Sequence, residues 1–531
     1  MGIQVVWFKR DLRVEDHEPL VRAAGAGPVV GLYILEPELL ALPETDPRHL
    51  GFILESLAEL RRALRARGSR LWIRRGEAVE VLDELADTLP VAALWSHEET
   101  GLRATWDRDR RVEAWRRRRG IPWTELPQSG VVRGLRNRDR WARHWEERMD
   151  RPPRPAPERF AALPPEVAAR DPGALPRLRE LGMQAPDHPQ QPGGATEGRR
   201  TLETFLDVRG VDYRSAMASP LAGWDSCSRL SPHLAWGTVS LRTVHHRAAA
   251  ALLEARVRAR DGDPELDRRW IPSLRSFQSR LRWHCHFIQK LESEPELEEA
   301  CMNRAYEGLR TADPVAWSTE EEARFRAWRD GRTGHPMVDA CVRSLDATGW
   351  LNFRMRAMLV SFAAYHLWLD WRPVARVLAR RFLDFEPGIH LAQCQMQSGV
   401  TGINALRIYD PAKQLRDHDP EGRFVRRWVP ELREVPDSWL SRPELMPRSL
   451  QERVGCVVGR DYPRPVVEHA SAVREARARI GAVRGSARAR RLAREVYRRH
   501  GSRKQPLGSR ARGGAARRRT SGRSPQLDLG I

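Results

Sequence analysis

The sequence predicts a doubly wound α/β domain built on a parallel sheet, followed by an all-α domain and joined to it by a proline-rich linker. Three observations predict this. Short apolar runs alternate with helix-period stretches through the first 130 residues. Eleven prolines crowd residues 151–195. From Thr201 to about Leu432, apolar residues recur at helical spacing without strand-like alternation.

The elements follow in order. Ile3–Phe8 is the first apolar run, and Val29–Leu35 the second, after Gly27-Pro28. His49–Arg67 has helical period, with Leu50, Ile53, Leu54, Leu57, Leu60 and Leu64 on one side. Arg70–Arg74 reads as a strand, Ala78–Leu89 as a helix and Val91–Trp95 as a strand. Thr105–Arg119 is a charged helix and Ile121–Leu126 the last strand. Strands that are apolar throughout belong to parallel sheets covered on both faces. Such sheets bind ligands at the carboxyl ends of their strands. No Gly-x-Gly-x-x-Gly follows the first strand, so a nicotinamide dinucleotide is not expected there.

Residues 131–200 are the expected linker, because dense proline removes backbone donors and favours extended chain. In the helical domain, 201–470, apolar faces recur at Leu234–Leu253, Leu274–Leu291, Pro336–Leu345, Phe353–Leu369 and Val374–Phe382. Residues 471–531 read as a basic extension, helical to about Tyr497 and disordered past Gly501.

Composition narrows the class. With 531 residues, 41% of them apolar, the chain has enough material for real cores. No apolar run reaches the roughly 18 residues of a membrane span. The opening MGIQVVWFKRDLR carries no signal-peptide pattern, so a cytoplasmic, monomeric protein is expected. Six cysteines without a CxxC pair suggest neither a disulfide framework nor a metal site. His284, Cys285 and His286 in WHCHF read as ordinary helix residues, since adjacent side chains diverge on a helix. The net charge of +21 is uneven: Gly481–Ile531 holds 15 Lys/Arg against 2 Asp/Glu. That tail suits a polyanion.

Three local signals carry chemistry. In WDSCSRLSP, Trp224–Pro232, Ser226, Ser228 and Ser231 precede a helix and could bind a pyrophosphate with the helix-start amides. On spacing alone a serine N-cap is the favoured reading. In the stretch from Ala327 to Ala357, Asp339 and Arg343 stand at surface-pair spacing. The third signal is the acidic loop Leu383–His390, followed by CQMQSG at Cys394–Gly399. A buried Asp there needs a partner, and Arg356 is the natural one.

Together these residues resemble the photolyase/cryptochrome superfamily. WFKRDLRVEDH looks like its WFRxDLRxxDN start, and SRLSP like its flavin phosphate loop with Cys227 for Thr. GHPMVDACVRSLDATGWLNFRMR looks like its helix pair. Asp370–Arg372, the LDFEP loop, RIYDPAKQ and FVRRWVPEL match in order, across roughly residues 3–435. The resemblance implies FAD in the helical domain. It maps flavin contacts to Tyr213, Cys227, Ser228, Leu230, Ser231, Trp350, Arg356, Asp384, Glu386 and His390. Arg354, Phe353 and Trp283 would meet DNA. A second chromophore, a folate or deazaflavin, would sit in the N-terminal domain near His97, Glu98 and Glu99. No iron–sulfur cluster is implied, since only Cys456 lies beyond position 400.

The departures are equally specific. The lesion-facing Glu of the family aligns with Leu281, its Asn with Phe353, its Met with Ala357 and its second aromatic with Met396. A His pair used by one branch falls at Asn352 and Phe353. Of three electron-carrying tryptophans, Trp317 and Trp371 match, while the flavin-proximal one aligns with Cys394. His390 stands where Asn usually faces flavin N5. The resemblance therefore implies a light-dependent pyrimidine-dimer lyase acting on damaged DNA, with catalytic roles at His390, Cys394, Met396, Trp371 and Trp317. Its rival is a cryptochrome-like receptor with a signalling partner.

Overall fold

A computed structural model describes residues 2–502. Five strands form one sheet: β1 (Ile3–Phe8), β2 (Val29–Leu35), β3 (Arg70–Arg75), β4 (Val91–His97) and β5 (Trp123–Leu126). Their order is β3-β2-β1-β4-β5, and every neighbouring pair is parallel. Four helices cover the faces: α1 (Glu18–Ala26), α2 (Pro47–Ala66), α3 (Ala78–Thr88) and α4 (Arg103–Arg119). β1 is buried along its whole length, as an inner strand of a doubly covered sheet must be. Leu50, Ile53, Leu57, Leu60 and Leu64 of α2 pack against Val6, Phe8 and Leu71 on one face. Trp7, Trp72, Leu82 and Trp115 build the other. Sequence periodicity passed over α1. His17 caps it, its Nδ1 accepting the Leu20 amide at 3.1 Å.

The stretch read as a linker is not bare chain. It contains α5 (Trp141–Met149), whose Trp141, Trp145 and Met149 join the core of the helical domain. Long helices α6 (Leu241–Arg260) and α7 (Trp270–Ser293) build that core with it. They are followed by α8 (Pro336–Thr348), α9 (Phe353–Ser361), α10 (Trp371–Arg381) and α11 (Pro387–Gln397). α9 is shorter than its apolar pattern, because a π-turn at Phe362–His366 ends it. Asp339 and Arg343 are not a surface pair. Asp339 is fully buried and accepts from the Thr333 and Gly334 amides and the Tyr462 hydroxyl, while Arg343 binds Glu431.

The first thirty residues of the basic extension are folded. They form α12 (His469–Gly485) and α13 (Ala487–His500), with Ala476, Ile480 and Val496 buried in the helical core. The expectation of disorder past Gly501 lies, beyond Ser502, outside the described residues.

The two domains are latched by polar contacts from the β1–α1 turn. Arg10 Nε donates to Ala235 O at 3.0 Å, and Arg13 Nη1 to Gly237 O at 2.9 Å. Asp16 accepts from Ser240 Oγ at 2.6 Å and from Arg242 Nε at 3.0 Å. Gly237 has φ +66°, and a Cβ there would sit 2.1 Å from Arg10 O, so the close approach requires glycine. No helix among the described residues is long and apolar enough to cross a membrane.

Candidate functional site

A cavity of about 600 Å³ opens inside the helical domain, within the usual range of ligand sites. α7 makes one wall because it has two faces. Leu274, Phe277, Leu281, Cys285 and Ile288 lie in the core. Arg280, Trp283, Phe287 and Lys290, at the complementary helical spacing, line the cavity. Leu281, 2% exposed, therefore faces away from any ligand, and the cavity position on that turn belongs to Arg280. A one-residue shift rotates a helical side chain by about 100°, which explains the misassignment. His284 and His286, read as ordinary helix residues, also line the cavity.

The SRLSP loop closes one end. Ser231–Ala235 is a short helix with Leu230 at its N-cap position and no side-chain cap, so the serine-cap reading fails. Ser231 hydrogen-bonds the Asp384 carboxylate instead. Arg229, at φ +59°, lies between Trp224 and Trp350, with its guanidinium carbon 4.0 and 4.1 Å from the two ring centroids. Its Nη2 reaches Gln191 at 3.4 Å, but its buried Nε and Nη1 have no partner among the described residues. Burial pulls the Arg229 pKa down to about 10, against the pull of Asp384. Sequence reasoning quoted this residue inside the box without giving it a role. A cation among serines was the available signal.

An ion pair stands beside this loop. α8 ends at Gly349, whose left-handed φ of +69° turns the chain into the wall segment Trp350–Phe353. Arg356 Nη1 and Nη2 then donate to the two Asp384 oxygens at 2.9 and 2.8 Å. Asp384 is 3% exposed on its side chain, and burial alone would raise its pKa. The charge and hydrogen bonds of Arg356, with Ser231, hold it below the ordinary carboxylate value. Glu386 has Arg10 at 3.9 Å, and burial raises its pKa against the pull of Arg10 and the Gly388 amide. His390 donates from Nε2 to Ala375 O at 2.8 Å, and burial lowers its pKa to about 4. The ring is therefore neutral near pH 7, with its Nδ1 lone pair free of a proton. Cys394 Sγ lies 3.7 Å from His390 Nε2, and burial raises the thiol pKa, so it is not a thiolate. Burial also raises Tyr213 to about 12 and Cys227 to about 11.

Most sequence-predicted site residues meet here. Tyr213, Cys227, Ser228, Ser231, Trp350, Arg356, Asp384, Glu386 and His390 line the cavity, as do Cys394, Met396, Phe353, Arg354 and Trp283. Three do not. Leu230 is buried in the core beneath the loop. Trp371, 1% exposed, lies in the core behind α11. Trp317 is half-buried, packs on Phe325 and donates to Thr311 O.

His97, Glu98 and Glu99 do not converge on a second site. His97 Nδ1 and His17 Nε2 both donate to Asp11 Oδ2, at 2.7 and 2.9 Å. Because His17 Nδ1 accepts from Leu20, its Nε2 carries the proton, and the buried cluster is a hydrogen-bonded triad. Glu99 binds Arg108, which also binds Glu36 and Asp109. The cavity at the carboxyl ends of β1 and β2 measures about 140 Å³, below the roughly 300 Å³ of ordinary ligand pockets. A folate or deazaflavin does not fit it as it stands.

A parallel-sheet domain latched to a helical domain with this charged, aromatic cavity defines a nucleotide-cofactor protein. Comparison with known proteins makes the class specific. Residues 4–135 match DNA photolyase, and residues 277–482 match the FAD binding domain of DNA photolyase. A cryptochrome DASH from Gloeobacter violaceus is 31% identical over 87% of this chain and 93% of its own. A deoxyribodipyrimidine photo-lyase from Halobacterium salinarum is 30% identical over 91% of this chain and 100% of its own. The crystal structure of a bacterial class III photolyase from Agrobacterium tumefaciens superposes with a TM-score of 0.76 at 25% identity, covering 92% of this chain and 98% of that one. The chain belongs to the photolyase/cryptochrome superfamily.

The cavity fits FAD on its own chemistry. The unpartnered Arg229 donors beside Ser228 suit a diphosphate, the aromatic and aliphatic walls suit ring systems, and the neighbouring Arg356–Asp384 pair offers charge and hydrogen bonds.

Proposed function

We propose that the protein is a light-dependent DNA repair enzyme that splits pyrimidine dimers. The observation that supports this is the shape of the site: the cavity of the cofactor residues continues without a barrier to Trp283, Phe353, Arg354 and Met396. An apolar and aromatic wall takes a dimer of adjacent bases that has left the duplex, and lesions leave it most readily because they stack and pair poorly. Bound FAD, when reduced and excited by light, supplies a one-electron donor.

The chain's own residues do the rest. Arg229 and Ser228 hold the diphosphate, and Arg356 keeps a fixed positive charge on the wall because Asp384 anchors it in two bonds. That charge favours an anionic ligand beside it. Neutral His390 and protonated Cys394 add hydrogen-bonding surface without adding charge. Trp283 and Met396 stack or pack on the bases, and Arg354 adds a cation to the same wall. Tyr213, Trp350 and Glu386 complete the cofactor wall. Trp371 and Trp317, away from the cavity, would serve only as relay positions. The reading rests on FAD, and its chemistry needs no second chromophore.

Illumination of the reduced protein with dimer-containing DNA tests it. Loss of dimers in near-UV or blue light, and not in the dark, is the expected result. Intact dimers with FAD fully bound would sink the reading. One feature favours the receptor alternative: Tyr497, His500 and Ser502, at the end of α13, line the same cavity. A receptor would show light-driven change in proteolysis of that segment, with no repair.

A further inference from the structure

Lys290 stands out among the cavity residues. It is 5% exposed, yet its Nζ meets no hydrogen-bond or ion-pair partner among the described residues and only faces the Phe287 ring, 4.9 Å from its centroid. Its surroundings are cationic. Arg138 Nη2 donates to His286 Nδ1 and O at 2.7 and 2.8 Å, behind the same wall. Glu294, a carboxylate of the same helix end, is taken by Arg304, Arg499 and His500 at 3.1, 2.7 and 2.6 Å. Burial, with repulsion from Arg138, lowers the Lys290 pKa to about 7. A buried amine without an anion is costly, and it becomes favourable when an anion arrives.

The face of α7 says what kind of anion. Trp283, Phe287 and Lys290 follow one another at i, i+4 and i+7, and the first two rings lie within 30° of parallel at 5.7 Å. Seven residues rise about 10 Å along a helix, so the rings and the amine lie in one row. Stacking rings leading to a cation is the pattern that holds single-stranded nucleic acid.

We propose that Lys290 seats a phosphate group of a nucleic-acid strand whose bases enter the cavity along the Trp283–Phe287 face. This rests on the nucleic-acid reading above and adds a contact that neither the cofactor nor the lesion wall requires.

The test compares wild type, Lys290→Met and Lys290→Arg in the dark. Affinity for a single-stranded oligonucleotide, intact or carrying one thymine dimer, is measured by fluorescence anisotropy from about 50 to about 200 mM salt. Lys290→Met is expected to weaken both oligonucleotides by the same factor, roughly 5–10-fold at low salt. It should also lower the salt slope by about 0.7, the value for one phosphate on a single strand. Lys290→Arg should keep both. The Tm of free Lys290→Met should equal or exceed that of wild type, which excludes misfolding as the cause. Unchanged affinity and slope in Lys290→Met, with wild type binding, overturns the proposal. If thymidine monophosphate binds wild type but not Lys290→Met while oligonucleotide binding is untouched, the strand assignment is overturned in favour of a free nucleotide. Binding of neither oligonucleotide by wild type overturns the nucleic-acid reading itself.

Discussion

Asp384 sets the charge pattern of the cavity. Removing one member of a buried, doubly hydrogen-bonded pair costs about 3–5 kcal/mol, because the other charge is left unanswered. Asp384→Asn is therefore expected to purify with less than about a fifth of the wild-type flavin, read as visible flavin absorbance relative to protein absorbance. Trp283 makes a separable contribution. Trp283→Ala should keep its flavin but lose about 1–3 kcal/mol of stacking, a roughly 5–150-fold weaker binding of dimer-containing oligonucleotide in the dark. Loss of flavin in Trp283→Ala would place that ring in the cofactor site instead. At this scale the sequence was legible where motif and charge coincide, as at Arg356, Asp384 and Ser231. It was not legible at Arg280, where a one-residue alignment shift put Leu281 on the wrong face of α7. Nor was it legible at Lys290, which belongs to no motif and is significant only through its burial.

Among the elements, α12 and α13 were expected as helices, but their packing on the core was not. Their Arg-rich sequence reads as a solvated tail, yet Ala476, Ile480 and Val496 form a sparse apolar stripe that packs on the helical core. Ile480→Ala should cost about 2–5 kcal/mol of stability in a urea titration, as for a fully buried large-to-small change. A wild-type midpoint for Ile480→Ala would mean that α12 does not belong to the folded core. The strands were legible because a doubly covered sheet demands uninterrupted apolar runs, and α2 because its leucine stripe is long. The nine-residue α1 escaped because so short a helix offers only about two and a half turns of pattern. The end of α9 escaped because a π-turn leaves no mark in apolar spacing.

For the whole molecule, buried histidines dictate how stability responds to acid. Burial lowers His49, His233, His284, His335 and His390 to about 4, and His97 and His366 to about 3. Unfolded imidazoles take a proton near pH 6.5, so between that pH and about 4 the unfolded chain binds more protons than the folded one. Stability therefore falls as pH falls through that window, by about 1.4 kcal/mol per pH unit for each such group. Urea midpoints at about pH 7 and about pH 5 should show a steep acid loss, and equal midpoints would contradict this ionisation pattern. The domain latch through Arg10, Arg13 and Asp16 could not be read in advance, since its partners lie more than two hundred residues away in the chain. What the helical domain encloses is the central claim: one cavity holds FAD and receives the damaged bases. Titration of the FAD-bound protein with dimer-containing oligonucleotide in the dark tests it most directly. A shift of the visible flavin absorption with the dimer, absent with intact oligonucleotide and lost in Trp283→Ala, is the predicted result. Tight binding of the dimer with an unchanged flavin spectrum would contradict it.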